Sequence, residues 1–195
     1  MSYDFTADWF SGNIPTWTKI VWAFKPRFVL EIGSYEGRSA VWLINNTPLL
    51  TLHCVDIWED AEIEARFDSN VKYALSRTPA VAFTKLKMPS SEALISLRAG
   101  IGRKFDLIYI DGSHTAPDVL SDAVLAWPLL NVGGVMIFDD YLWRSKPDAL
   151  DIAAKQNPLD EPKIAIDAFI NVYQQKLKII SHCPLYQVYL QKVSE

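Results

Sequence analysis

Val29-Leu30-Glu31-Ile32-Gly33-Ser34-Tyr35-Glu36-Gly37 is the stretch on which the reading of this chain turns. An apolar run carrying one acid stops at a glycine, and a second glycine stands just ahead of Arg38-Ser39 and a run with helical spacing. The pattern is that of a strand, a tight turn and a helix. Gly33 lets the backbone turn and approach a ligand, and Gly37 allows close packing at the helix start. The helix beyond presents free N–H groups at its N-terminus. Asp56 ends the next apolar run, Leu52-His53-Cys54-Val55-Asp56, 23 residues after Gly33. A carboxylate at such a strand tip is suited to accepting the hydroxyls of a ribose.

Outward from this unit, short apolar runs alternate with helical patterns. Strands are expected at Phe28–Ile32, Leu52–Asp56, Val81–Lys85, Phe105–Asp111, Gly134–Asp139, Lys178–Ile180 and Tyr186–Leu190. Several of these runs show little alternation, as strands buried on both faces do. Helices are expected over Thr16–Phe24, after Gly37, after Ser91, over Pro117–Leu130 and over Ala165–Leu177. Val119, Ala123, Trp127 and Leu130 share one face of the fourth of these. Thr115 can cap its start, with Asp118 as acidic partner. Strand, helix, strand, repeated, predicts an α/β fold with a doubly wound, mostly parallel, seven-stranded sheet. The last two strands are joined through only a few residues around His182-Cys183-Pro184, too few for a parallel crossover. One strand near the C-terminus should therefore run antiparallel.

The 195 residues suit a single domain, with residues 1–25 as an N-terminal helical cap. Arg144–Lys163, rich in Pro, Asp and Lys, reads as a long surface excursion. A net charge of -4 without any Lys/Arg run argues against nucleic-acid partners. Cys54 and Cys183 lie in apolar runs and read as buried free thiols, and no Cys/His cluster points to zinc. The start Met1-Ser2-Tyr3-Asp4 lacks the basic and apolar segments of a signal peptide. No apolar run approaches the roughly 20 residues that span a bilayer. These features predict a cytoplasmic protein without a membrane partner.

Two nucleotide classes compete for the glycine turn. The dinucleotide fingerprint needs a second glycine where Tyr35 stands and a third where Arg38 stands. Its second glycine lets pyrophosphate rest on the backbone, which the Tyr35 side chain hinders. A Gly-x-x-x-x-Gly-Lys phosphate loop is also absent. A nucleoside without pyrophosphate fits better.

The quoted stretch resembles the first motif of class I S-adenosylmethionine (SAM) dependent methyltransferases, and the strand pattern, over residues 26–193, resembles their Rossmann-like sheet. The resemblance implies SAM as cofactor. It implies that the turn, with Gly33, Ser34, Tyr35, Gly37 and Ser39, contacts the amino-acid part of SAM, that Glu31 reaches its amino group, and that Asp56, with Ile57, holds the ribose. Ser90 or Ser91 lies where the family contacts adenine; an N-cap ahead of Glu92 is an equally open reading.

Asp111-Gly112-Ser113-His114 and Asp139-Asp140-Tyr141 form a second constellation. Asp111 and Asp139 end adjacent strands of an open parallel sheet, at the crevice where ligands bind. Carboxylates converging there repel unless protonated, paired or metal-bound. All-oxygen ligation suits Mg²⁺ better than zinc. The pattern resembles metal-dependent small-molecule O-methyltransferases, above all those acting on macrolide sugar hydroxyls. Carried over, the metal ligands are Asp111, Asp139 and Asp140, and the catalytic residues are His114, as general base, and Asp111. Glu59 or Asp60 could add a further acid. The acceptor implied is a small molecule or a saccharide.

Aromatic residues crowd the N-terminus. Trp17 and Trp22 read as core packing, while Trp9 and Phe10 read either as core or as a flap over the crevice. Tyr141, Leu142, Trp143 and Arg144 leave the fifth strand beside the acids and are the candidate acceptor wall.

Overall fold

A computed structural model describes residues 2–100, 102, 104–144 and 157–195. In chain order the elements are α1 (Ile14–Phe24), β1 (Phe28–Ile32), α2 (Arg38–Asn46), β2 (Thr51–Asp56), α3 (Ala61–Arg77), β3 (Ala82–Lys87), α4 (Ser90–Gly100), β4 (Phe105–Ile110), α5 (Ala116–Ala126), β5 (Leu130–Phe138), α6 (Lys163–Tyr173), β6 (Leu177–Ile179) and β7 (Val188–Lys192). Residues 145–156 of the expected excursion lie outside the described residues.

The seven strands form one sheet in the order β3-β2-β1-β4-β5-β7-β6. β1 to β5 pair in parallel, and β7 pairs antiparallel with both β5 and β6. The expected fold class and its antiparallel strand are borne out. The order reverses between β1 and β4, so the carboxyl ends of these strands open a crevice between diverging loops.

Strands β1 to β5 and β7 carry apolar residues on both faces, which is why their alternation is faint. Leu30, Ile32, Ile108, Ile110, Met136 and Phe138 face α4, α5 and α6. Val29, Leu52, Cys54, Leu107, Val135 and Ile137 face α1, α2 and α3. Burying such side chains contributes roughly 1.5–3 kcal/mol each. The anchor of the second layer is Trp17, fully buried and edge-on to Tyr109 at 4.8 Å.

Several local expectations are corrected. Trp22 is 79% exposed, pointing away from the core that Trp17 fills. The helical cap occupies only the latter part of residues 1–25: residues 2–10 form no helix or strand, and a short 3-10 turn at Ser11–Asn13 leads into α1. Thr115 occupies the N-cap of α5 without a side-chain capping bond. Its hydroxyl donates to the Asp118 carboxylate at 2.8 Å, which takes it away from the backbone. β7 starts two residues later than expected, because Tyr186 is drawn into a bond with β5's exit, its carbonyl accepting from Tyr141 N–H at 2.9 Å. Cys54 is buried, and Cys183 only half-buried. Among the described residues no helix is long and apolar enough to cross a membrane.

Candidate active site

The turn after β1 is held in an unusual shape. Gly33, Tyr35 and Gly37 all have positive φ, at 84°, 47° and 81°. A side chain at Gly33 would put its Cβ 1.9 Å from the Asp111 carbonyl oxygen, so the glycine is required by the close approach of the β1 and β4 ends. Gly37, the N-cap of α2, packs against Phe67 instead. Asp56 clamps the turn: one carboxylate oxygen accepts from Ser34 N–H and Tyr35 N–H, both at 2.9 Å, and the other accepts from Trp58 N–H at 2.9 Å. Of a carboxylate's roughly four lone-pair directions, about one is left for a ligand hydroxyl. Buried Trp58 completes the clamp, its indole N–H donating to the Tyr35 carbonyl at 2.9 Å.

Glu31 sits behind this turn, fully buried. One carboxylate oxygen accepts from the Ser34 hydroxyl at 2.7 Å and the Cys54 thiol at 3.3 Å. The other oxygen has no partner. Burial pushes the Glu31 carboxyl above the usual range, although Ser34 and Ser39 hydroxyls oppose the rise. An unpartnered buried acceptor is costly, and its presence beside a glycine turn fits a ligand that donates N–H groups, such as an ammonium.

A cavity of about 1190 Å³ runs along the sheet's carboxyl edge. Gly33, Tyr35, Asp56, Ile57, Ser90, Ser91, Asp111, His114, Asp139 and Asp140 all border it, so the two constellations seen in the sequence share one hollow. Ser34 and Ser39 border a much smaller cavity of about 50 Å³ on the other side of the turn. Ser90 and Ser91 open α4 and so occupy its first turn. Opposite them stands Asp122, 2% exposed. Burial raises its carboxyl to about 6, despite a hydrogen bond with Ser90.

At the far end the acids form two separate units. Asp111 and Asp139 meet at the Tyr109 phenol, which is hydrogen-bonded to Asp111 at 2.8 Å and also to Asp139. A phenol carries one hydrogen, so bridging two carboxyls requires a proton on one of them. Burial, and then the charge of Asp139, hold Asp111 well above the ordinary carboxyl range. Burial likewise raises Asp139. The Gln187 amide donates to Asp139 at 2.7 Å while its oxygen accepts from Trp17 at 2.9 Å and from Tyr189, which fixes the amide's orientation. Asp140, at φ 58°, turns the other way, one oxygen 2.8 Å from His114 Nε2 and the other accepting from Tyr186 at 2.8 Å. The bond to Asp140 raises the His114 pKa. His114 also lies against Trp143, ring centres 4.5 Å apart. Among the described residues no three His, Cys, Asp or Glu side chains gather closely enough to hold a metal ion. Asp60 is engaged as the N-cap of α3, accepting from Glu62 N–H at 2.7 Å.

The open question at the N-terminus resolves in both directions. Phe10 is core, packed on Trp17 and Trp42, whereas Trp9 is 74% exposed and lies over Tyr35 at the cavity edge. Sequence reasoning missed Tyr109, Asp122, Tyr186 and Gln187. Tyr109 was within reach, since residues two apart on a strand share a face and Asp111 follows at that spacing. Gln187 gave little signal, because apart from Tyr189 its partners come from α1, β4 and the residue after β5.

The family described as "Methyltransferase domain" matches residues 30–141. An uncharacterized protein of Acanthamoeba polyphaga mimivirus is 27% identical over 113 residues, 57% of this chain. The chain spans about half the length of that relative. An O-methyltransferase from Bacillus cereus, solved in complex with SAH, superposes with a TM-score of 0.68 at 17% identity, covering 96% of this chain and 84% of that one. The MycE methyltransferase of the mycinamycin biosynthetic pathway, solved with Mg and SAH, gives 0.60 at 20% identity, covering 95% of this chain and 51% of that one. At such identities the superpositions speak for the fold.

Proposed function

We propose, from the premise that this chain belongs to the methyltransferase-domain family, that it moves a methyl group from SAM to a hydroxyl of a small molecule or saccharide. The observation that carries the reading is a single cavity joining the glycine turn and Asp56 to Asp111, Asp139 and His114. Donor and acceptor can meet only in a hollow that serves both.

SAM supplies a methyl already activated on a sulfonium, so the protein's work is alignment and deprotonation. Glu31's second oxygen offers an acceptor for the donor's ammonium from behind the turn, while Ser34 and Ser39, whose hydroxyls interact with the same carboxylate, border the small cavity. The remaining lone pair of Asp56 is available to a ribose hydroxyl. Ser90 and Ser91 stand where the adenine would end. At the other end His114, polarised by Asp140, takes the acceptor's proton once the imidazole is neutral. Trp143, beside His114, gives an apolar face on which a ring can lie.

Mg²⁺ assistance is a separate branch of this proposal, prompted by the resemblance to sugar O-methyltransferases. The all-carboxylate donors suit a hard cation. As arranged, however, Asp111, Asp139 and Asp140 do not fit a bound ion: two converge on Tyr109 and the third is engaged by His114 and Tyr186. Methyl transfer to a panel of hydroxyl acceptors, with and without EDTA, tests both parts. Turnover unaffected by EDTA supports His114 acting alone. Loss restored by Mg²⁺ establishes the metal branch. SAM binding without transfer to any acceptor would contradict the enzymatic reading in favour of a binding module.

A further inference from the structure

Residues 3–9 belong to no helix or strand, yet most of their polar ties lead to the glycine turn or to α2 and α3 behind it. The Thr6 N–H and hydroxyl donate to the two carboxylate oxygens of Glu36, at 2.7 and 2.6 Å. Asp4 exchanges hydrogen bonds with the Asn70 amide at 2.8 and 2.7 Å, and Asn70 also donates to the Glu36 carbonyl at 3.0 Å. Arg38 donates to the Ala7 carbonyl at 3.1 Å and lies 4.3 Å over the Phe5 ring. Trp9 covers Tyr35 at 5.0 Å. Glu36 is 1% exposed although it sits in a loop. The turn therefore has two clamps, Asp56 on the cavity side and this segment on the other.

Between the segment and the turn lies the cavity of about 50 Å³ bordered by Ser34 and Ser39. With about 30 Å³ per molecule of liquid water, it holds one or two waters. At that volume it does not hold the amino-acid end of a nucleoside donor; Gly33, Tyr35 and Asp111 border it and the large cavity alike. The segment's hold on the rest of the protein combines these polar ties with Tyr3 and Phe5, half-buried against the layer around Trp17 and Phe67, Tyr3 meeting Tyr73 at 5.1 Å. Phe10, buried against Trp17 and Trp42, is the segment's fully buried anchor.

We infer that residues 3–9 are a retractable strap that swings about Phe10, is latched by Thr6 on Glu36, and must lift for the cofactor's amino-acid end to enter beneath it. The identity of what enters rests on the methyl-donor reading; the lifting of the strap does not. Glu36 is thus a positioning residue, coupling the shape of the turn to closure of its roof.

Amide hydrogen exchange on the full chain, with S-adenosylhomocysteine (SAH) as probe, tests this. In free protein the Asp4 and Thr6 amides should exchange at least about a hundredfold faster than those of Val29 and Leu30, and SAH should slow them. Thr6 is exposed, so Thr6→Val should fold normally while losing one bond to a carboxylate. It should speed both association and dissociation of SAH, each by roughly tenfold. Asp4 and Thr6 amides exchanging no faster than the β1 amides would overturn the inference, as would unchanged SAH rates in Thr6→Val. Fast strap exchange with no detectable SAH binding would support the strap and count against the methyl-donor reading.

Discussion

Replacing Asp122 by Asn should stabilise the protein at neutral and alkaline pH. Asp122 is almost wholly buried at the cavity wall, and burial lifts its carboxyl from 3.8 to about 6. Between those values the folded protein keeps a proton that the unfolded chain releases. Stability attributable to this group therefore falls as pH rises through that window, and the whole penalty stands above it. A displacement of that size corresponds to about 3 kcal/mol. Asn has the same shape, cannot ionise, and can still hydrogen-bond Ser90. Asp122→Asn should then gain up to about 3 kcal/mol at pH 8, shrinking towards nothing near pH 4. For a chain of this size that is a rise in Tm of about 6–12 °C. Scanning calorimetry of both proteins at several pH values between these limits measures it. An equal shift in Tm at every pH, or a loss of stability at pH 8, would refute the reasoning.

Gly33→Ala should be among the most damaging single changes. Its Cβ would meet the Asp111 backbone at 1.9 Å and its φ of 84° disfavours any side chain. The ends of β1 and β4 would have to separate, so the expected outcome is loss of SAM binding with a Tm lowered by several degrees; a variant that binds SAM like the parent would contradict the geometry. Lys192 is fully buried, its ammonium donating to the Trp127 and Leu130 carbonyls at 3.2 and 3.0 Å. Lys192→Met removes both bonds and the pair with Glu195, leaving the Trp127 carbonyl only its bond from Leu130 N–H, and should cost roughly 1–3 kcal/mol in urea unfolding; no change in the midpoint would show that water replaces the ammonium without penalty.

The sheet was legible because its signals are local. Strand β1, its acid and its glycine are contiguous, and Asp56 falls at the tip of the next strand. The near-absence of alternation in β1 and β4 correctly implied burial on both faces. What stayed hidden depends on distant partners. Thr115 sits at a helix start, but the Asp118 carboxylate competes for its hydroxyl. Trp22 shares a helix with Trp17, yet faces solvent, because a two-layer core needs only one stripe of α1. At the site, the sequence placed Asp111, Asp139, Asp140 and His114 at neighbouring tips. It could not show that Tyr109, rising from within β4, would join two of the acids while His114 and Tyr186 drew the third away. Nor could it show that Glu36 and Arg38, side chains inside the motif itself, would turn outward to hold the N-terminal strap.

The most direct test of the account is calorimetric titration of the chain with SAM and, in parallel, with NAD. A nucleoside seat formed by Gly33, Glu31 and Asp56 predicts saturable SAM binding that Asp56→Ala weakens, and none for NAD. Binding of NAD with no heat from SAM would contradict it.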